Sequence, residues 1–106
     1  MQLYPLKLVT VVGETVITKA IIAEGLRLGA SGFTLTDVDG RGSRDARTGI
    51  MIGSAKTRKI EFVVSEAVAV AILEHISHTY FEHYACIAWL SDVSVVRGEH
   101  YVARER

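Results

Sequence analysis

Two stretches of this chain read alike. Val11-Val12-Gly13-Glu14-Thr15-Val16 and Val63-Val64-Ser65-Glu66-Ala67-Val68 both follow the pattern VVxExV, 52 positions apart, about half of a chain of 106 residues. In each copy a β-branched run gives way to apolar residues at helical spacing, so each half carries a strand that runs into a helix. A short chain built from two such halves has few ways to bury both helices.

The rest of the pattern fills in around these passages. Leu6, Leu8, Thr10 and Val12 interleave with Lys7, Val9 and Val11, which predicts a first strand over 3–12, apolar on both faces. Ile17, Ala20, Ile21 and Leu28 form one stripe of a helix over 14–28, stopped by Gly29. A second strand is expected over 32–38 and a third over 59–65. Ser65 is placed to cap a helix over 66–81, whose stripe is Ala69, Ile72, Leu73, Ile76 and Tyr80. A last strand covers 85–96. The order β-α-β, long connection, β-α-β predicts an α+β, ferredoxin-like βαββαβ sandwich: a four-stranded antiparallel sheet with both helices on one face, in a single domain spanning 1–106. The opposite face then needs a cover, and association with further copies of the chain is the simplest one.

The connection between the second and third strands, 39–59, has neither strand alternation nor sustained helical period. Its length is well beyond an ordinary turn, which marks a functional loop or a disordered one. Arg41, Arg44, Arg47, Lys56, Arg58 and Lys59 against Asp39 and Asp45 leave it at +4 on a chain of zero net charge. It is a local positive field on a mildly acidic body. At its start, Gly40-Arg41-Gly42-Ser43-Arg44 brings two glycines, a hydroxyl and two guanidinium groups together, with Arg47 beyond. Glycines let successive N–H groups converge and arginine forks match phosphate oxygens, so these residues point to an anion site. A solvated basic loop is the plainer alternative. No G-x-x-x-x-G-K-[ST] is present, so this is not a P-loop. At the tip, Ile50, Met51 and Ile52 between Gly49 and Gly53 suit docking against a partner or against the chain's own oligomer.

GFTLTDVDGRGSRDAR followed by KIEFVV resembles the PII signalling superfamily, and the similarity in element order covers nearly the whole chain. The resemblance implies a ferredoxin-like homotrimer that binds adenine nucleotides in clefts between subunits and signals through a T-loop, here about 39–58. It implies that Gly32, Phe33 and Thr34 meet the adenine, that Gly40, Arg41, Gly42, Ser43, Arg44 and Arg47 meet the phosphates, and that Tyr84, Ala85 and Cys86 of the neighbouring subunit form the opposite wall. There is no tyrosine in 39–59 to accept a uridylyl group. Phe81-Glu82-His83-Tyr84 stands where nitrogen-regulatory relatives carry a glycine-and-lysine phosphate loop, which weighs against strong ATP binding. The G-[KR]-G-S-R-x-x-R pattern, Gly40 to Arg47, is similar to the PII-like branch linked to bicarbonate transport and carboxysomes. That branch implies AMP, ADP or cyclic AMP, with bicarbonate as a second small ligand, as regulatory ligands rather than cofactors; ATP is kept as an alternative. It also implies a role in inorganic-carbon acquisition, with a bicarbonate transporter or carboxysome-associated protein as partner through the T-loop.

Other chemistries fit less well. His75, His78, Glu82 and His83 form an incomplete metal-ligand set, and solvated histidines are expected there. A small acylphosphatase-like hydrolase on the same scaffold would position its water with an asparagine, and the sequence has none. A metal-responsive trimer is a third reading. A non-enzymatic sensor with no metal is therefore expected. Cys86 lies in an apolar run and reads as a small buried hydrophobe, and Trp89 as core or subunit interface. RNA recognition is not expected, since no aromatic RNP1-like run occurs and the net charge is zero. No signal peptide and no apolar run of membrane-spanning length are seen, so a cytoplasmic location is expected.

Overall fold

Alternating β-branched residues place every second side chain on one face of a sheet, and that parity organises the molecule. The computed structural model describes residues 1–39 and 57–97. In chain order the elements are β1 (Tyr4–Glu14), α1 (Thr15–Leu28), β2 (Thr34–Val38), β3 (Thr57–Val64), α2 (Glu66–Tyr80) and β4 (Cys86–Val95). The strands pair in the order β2-β3-β1-β4, each pair antiparallel, which is the expected α+β, ferredoxin-like arrangement.

One face of the sheet carries Val9 and Val11 of β1 opposite Phe62 and Ile60 of β3, all fully or nearly fully buried. Ile17 and Ile21 of α1 and Val68, Ala69, Ile72, Ile76 and Tyr80 of α2 close over them as one core. Burying a large apolar side chain contributes roughly 1.5 to 3 kcal/mol, so this layer carries most of the fold's stability. α1 approaches the sheet through Gly25: a Cβ built there would lie 2.4 Å from Cζ of Phe62. Among the described residues no helix lies on the opposite face. Leu6 and Thr10 are nonetheless buried there, Thr10 between its cross-strand partners Glu61 and Trp89, so β1 is covered on both faces as its sequence suggests. Toward the β4 edge of that face Ile87 is 58% exposed and Trp89 44%.

Several expectations shift by a residue or two. β1 runs on through Gly13 and Glu14 because both find partners on β3. β2 starts at Thr34, leaving Gly32 and Phe33 ahead of it. β3 starts at Thr57, so the T-loop expected over 39–58 gives up Thr57 and Arg58 to a strand. Ala20 is exposed, and the buried stripe of α1 runs through Ile17, Thr18, Ile21 and Gly25 instead. The internal repeat also moves. The N-cap of α1 is Glu14 and that of α2 is Ser65, and the buried positions Ile17, Thr18, Ile21 and Gly25 match Val68, Ala69, Ile72 and Ile76. The structural equivalence is thus an offset of 51, and the VVxExV alignment at 52 pairs residues from opposite faces, as any one-residue slip must.

Candidate functional site

The connection leaves the sheet after Val38 and Asp39 and returns at Thr57, at the same end as Gly13, Glu14 and Cys86. Here Arg58 pairs with Asp37 across β2 and β3, Nε to Oδ1 at 2.9 Å. Both groups are solvent-accessible, so the pair contributes at most about 1 kcal/mol. Arg58 and Lys59 both belong to β3, and Asp39 precedes the loop, which leaves 40–56 with four cations against Asp45. Gly40, Arg41, Gly42, Ser43, Arg44 and Arg47, with Ile50, Met51 and Ile52, lie outside the described residues.

Gly32, Phe33 and Thr34 are all exposed, at the start of an edge strand. A Cβ on Gly32 would meet nothing within 4 Å, so the space beside it is open. Tyr84, Ala85 and Cys86 are half-buried at the other edge. Tyr84 sets its ring edge-on to Tyr80, centroids 5.9 Å apart, and its N–H donates to the Tyr80 carbonyl at 3.0 Å. The Ala85 N–H donates to Oε2 of Glu14 at 2.6 Å, and the Glu14 N–H donates to the Ala85 carbonyl at 3.2 Å. Burial first, then the Glu14 charge, push the Cys86 thiol up to about 11, so little thiolate forms near neutral pH.

The two groups do not meet within one chain. Cys86 pairs with Gly13, Gly13 with Arg58 and Arg58 with Asp37, so a line from one group's strand to the other's crosses three strand spacings, roughly 14 Å. Thr34 lies three residues further along β2, about 10 Å in the perpendicular direction.

The remaining sequence candidates are scattered. His78 and His83 are exposed, the latter 3.7 Å from Glu82. His75 differs from the solvated group expected: it faces α1, its Nε2 3.9 Å from Glu24 and buried without a hydrogen-bond partner, its ring edge-on to Tyr80. Among the described residues no three ligand-type groups converge on a metal position, and no helix is long and apolar enough to cross a membrane. Trp89 lies on the uncovered face and not in the core. Glu14 is the site residue that sequence reading passes over. Its signal was a glutamate at the N-cap, where serine, threonine, aspartate or asparagine is preferred.

A family model for nitrogen regulatory protein P-II matches residues 6–100. No curated protein gave a match. Among solved structures, a PII-like signalling protein from Thermus thermophilus is 42% identical over 95% of this chain and 99% of its own, with a TM-score of 0.80. CPII of Thiomonas intermedia, a nitrogen regulatory PII-like protein bound to ADP, AMP and bicarbonate, is 25% identical over 91% of this chain and 98% of its own, with a TM-score of 0.75. The same protein bound to ADP, AMP and acetate is 22% identical over 95% and 98%, with a TM-score of 0.81, a likeness of fold.

Proposed function

The chain belongs to the nitrogen regulatory protein P-II family, and on that premise we propose that it is a non-enzymatic sensor of adenine nucleotides. It assembles as a homotrimer in the cytoplasm and holds AMP or ADP, with ATP or cyclic AMP as weaker alternatives, in three clefts between subunits. Gly32, Phe33 and Thr34 of one copy receive the base, the arginines of Gly40 to Arg47 receive the phosphates, and Tyr84, Ala85 and Cys86 of the next copy close the cleft. The observation that carries this reading is the separation of the two residue groups on opposite edges of one sheet, which becomes a single site only when edge meets edge. The uncovered face with Ile87 and Trp89 supports association. CPII, bound to ADP, AMP and bicarbonate, supports the ligand class, and bicarbonate is read as a second ligand at the same arginines. The ligand changes how the loop over 40–56 engages a partner in inorganic-carbon acquisition, a transporter or a carboxysome-associated protein, with Ile50, Met51 and Ile52 at the contact.

Calorimetric titration with AMP, ADP, ATP, cyclic AMP and bicarbonate, beside light scattering, tests the reading. A trimer that binds AMP or ADP supports it, and a monomer, or a trimer that binds none of the five, removes it. Replacing Arg44 by alanine deletes a charge-assisted hydrogen bond of roughly 1.5 to 3 kcal/mol, so nucleotide affinity falls about ten- to a hundred-fold. Saturating ADP should also slow tryptic cleavage after Arg41 and Arg44 more than after Lys56. Equal cleavage at all three with and without ADP would separate the loop from the site.

A further inference from the structure

The first helix of this fold begins without a cap. Glu14 holds the N-cap position of α1 with extended backbone, yet its side chain makes no capping hydrogen bond, and the first turn contains no acidic residue. Its structural equivalent Ser65 accepts from the Val68 N–H in the ordinary way. The Glu14 carboxylate instead reaches 71 residues ahead in the chain to the N–H of Ala85, and the two backbones return the bond. From the helix side the same segment is gathered by the Tyr80 carbonyl, which accepts from the N–H groups of His83 and Tyr84. The turn from α2 into β4 is therefore held at both ends, and Glu14 supplies the end nearest β4.

We propose that Glu14 is a positioning residue for nucleotide binding: its carboxylate fixes the Tyr84-Ala85-Cys86 backbone in the conformation that closes on the base of an adenine nucleotide carried by the neighbouring copy. This rests on the function proposed above. The choice of base over phosphate follows from charge, because a carboxylate beside phosphate oxygens repels them, and among the described residues no lysine or arginine lies between Tyr80 and Cys86 to offset it. Geometry, not charge, is the operative property. An acceptor oxygen must stand at the distance that a glutamate side chain spans.

The test is calorimetric titration of AMP and ADP into the full-length chain at fixed protein concentration, with three variants. Glu14→Gln keeps a carbonyl oxygen at the same reach and should bind within about three-fold of wild type, since a neutral acceptor still serves the Ala85 N–H. Glu14→Ala should bind both nucleotides about ten-fold more weakly, the loss expected for one charge-assisted hydrogen bond. Glu14→Asp decides the matter. It keeps the charge and improves the N-cap of α1, which offsets part of the stability lost with the Ala85 bond, but it is one methylene too short, and its affinity should fall with that of Glu14→Ala. The factor should be the same for AMP as for ADP, whereas Arg44→Ala should spare adenosine and weaken both nucleotides. Full affinity in Glu14→Asp, or equal losses in Glu14→Gln and Glu14→Ala, overturns the positioning role and leaves the sensor reading standing. A wild-type chain that binds neither nucleotide overturns the reading beneath it. If Glu14→Ala does not fold, the aspartate and glutamine variants alone decide.

Discussion

Among the described residues the passage from strand to helix occurs twice, and the two copies are finished differently. At β3 to α2, Ser65 turns its hydroxyl back onto the Val68 N–H, and Glu66 places an acidic group in the first turn. At β1 to α1, Glu14 leaves the helix start unserved and ties down the beginning of β4. Further along, α2 has the buried Ile76 at the position where α1 has Gly25, which leaves room for the ring of Phe62. The C-termini differ as well. α1 stops at Gly29, φ 130°, whose N–H bonds back to Gly25 and Leu26, whereas α2 passes through Phe81 in right-handed conformation into the turn before β4. One half is built as a conventional βαβ unit. The other gives up local helix stability, of order 1 kcal/mol, to hold a distant segment in place.

Exchanging features between the halves tests this contrast, beginning with the packing. Ile76→Ala should lower stability by about 2 to 5 kcal/mol, since it opens a cavity in the core. Gly25→Ala adds one carbon where the Phe62 ring already stands, and overpacking costs about 1 to 3 kcal/mol, of which better helix propensity returns at most about 1. Urea unfolding at one protein concentration measures both, and a neutral or stabilising Gly25→Ala would mean that α1 has room to lift. The caps come next. Ser65→Ala should cost about 1 kcal/mol by the same measurement, and a loss near zero would erase the difference between the two helix starts. The smallest effect falls on Cys86, beside Gly13 and Glu14. Its pKa is raised in the folded protein, so the protonated thiol favours folding, fully below about pH 9 and no longer once pH passes about 11. Iodoacetamide should modify native Cys86 slowly at pH 8 and faster through that window, while unfolded chain reacts readily at pH 8. Fast alkylation of the native protein at pH 8 would place the thiol outside the influence of burial and Glu14.

Element order, helix spacing, the Ser65 cap and the Gly29 stop were legible because each rests on contacts within a few residues of chain. The uncovered apolar face was legible too, from the double alternation of β1. The register of the two halves was not. Matching letters at Val11 and Val63 is a local likeness, while the face that a residue presents is settled by pairing across the sheet, and Val63 pairs with Leu8 on the uncovered side. Arg58 illustrates the same limit, counted as a loop charge until β3 brought it against Asp37. Glu14 was hidden for a related reason. Nothing near position 14 announces that the partner of its carboxylate lies at Ala85.

If the proposed trimer holds, the placement of the two residue groups on opposite edges of the sheet has a genetic consequence. In a closed ring of three, no cleft belongs to one polypeptide; each is owned jointly by a loop-bearing edge and a neighbour's β4 edge. A chain crippled at Arg44 and a chain crippled at Glu14 would each form trimers with three damaged clefts. Mixed in one ring, two of the first with one of the second, they concentrate both lesions in one cleft and leave another with neither. Two defective alleles should then complement each other in part, restoring up to one working cleft in three.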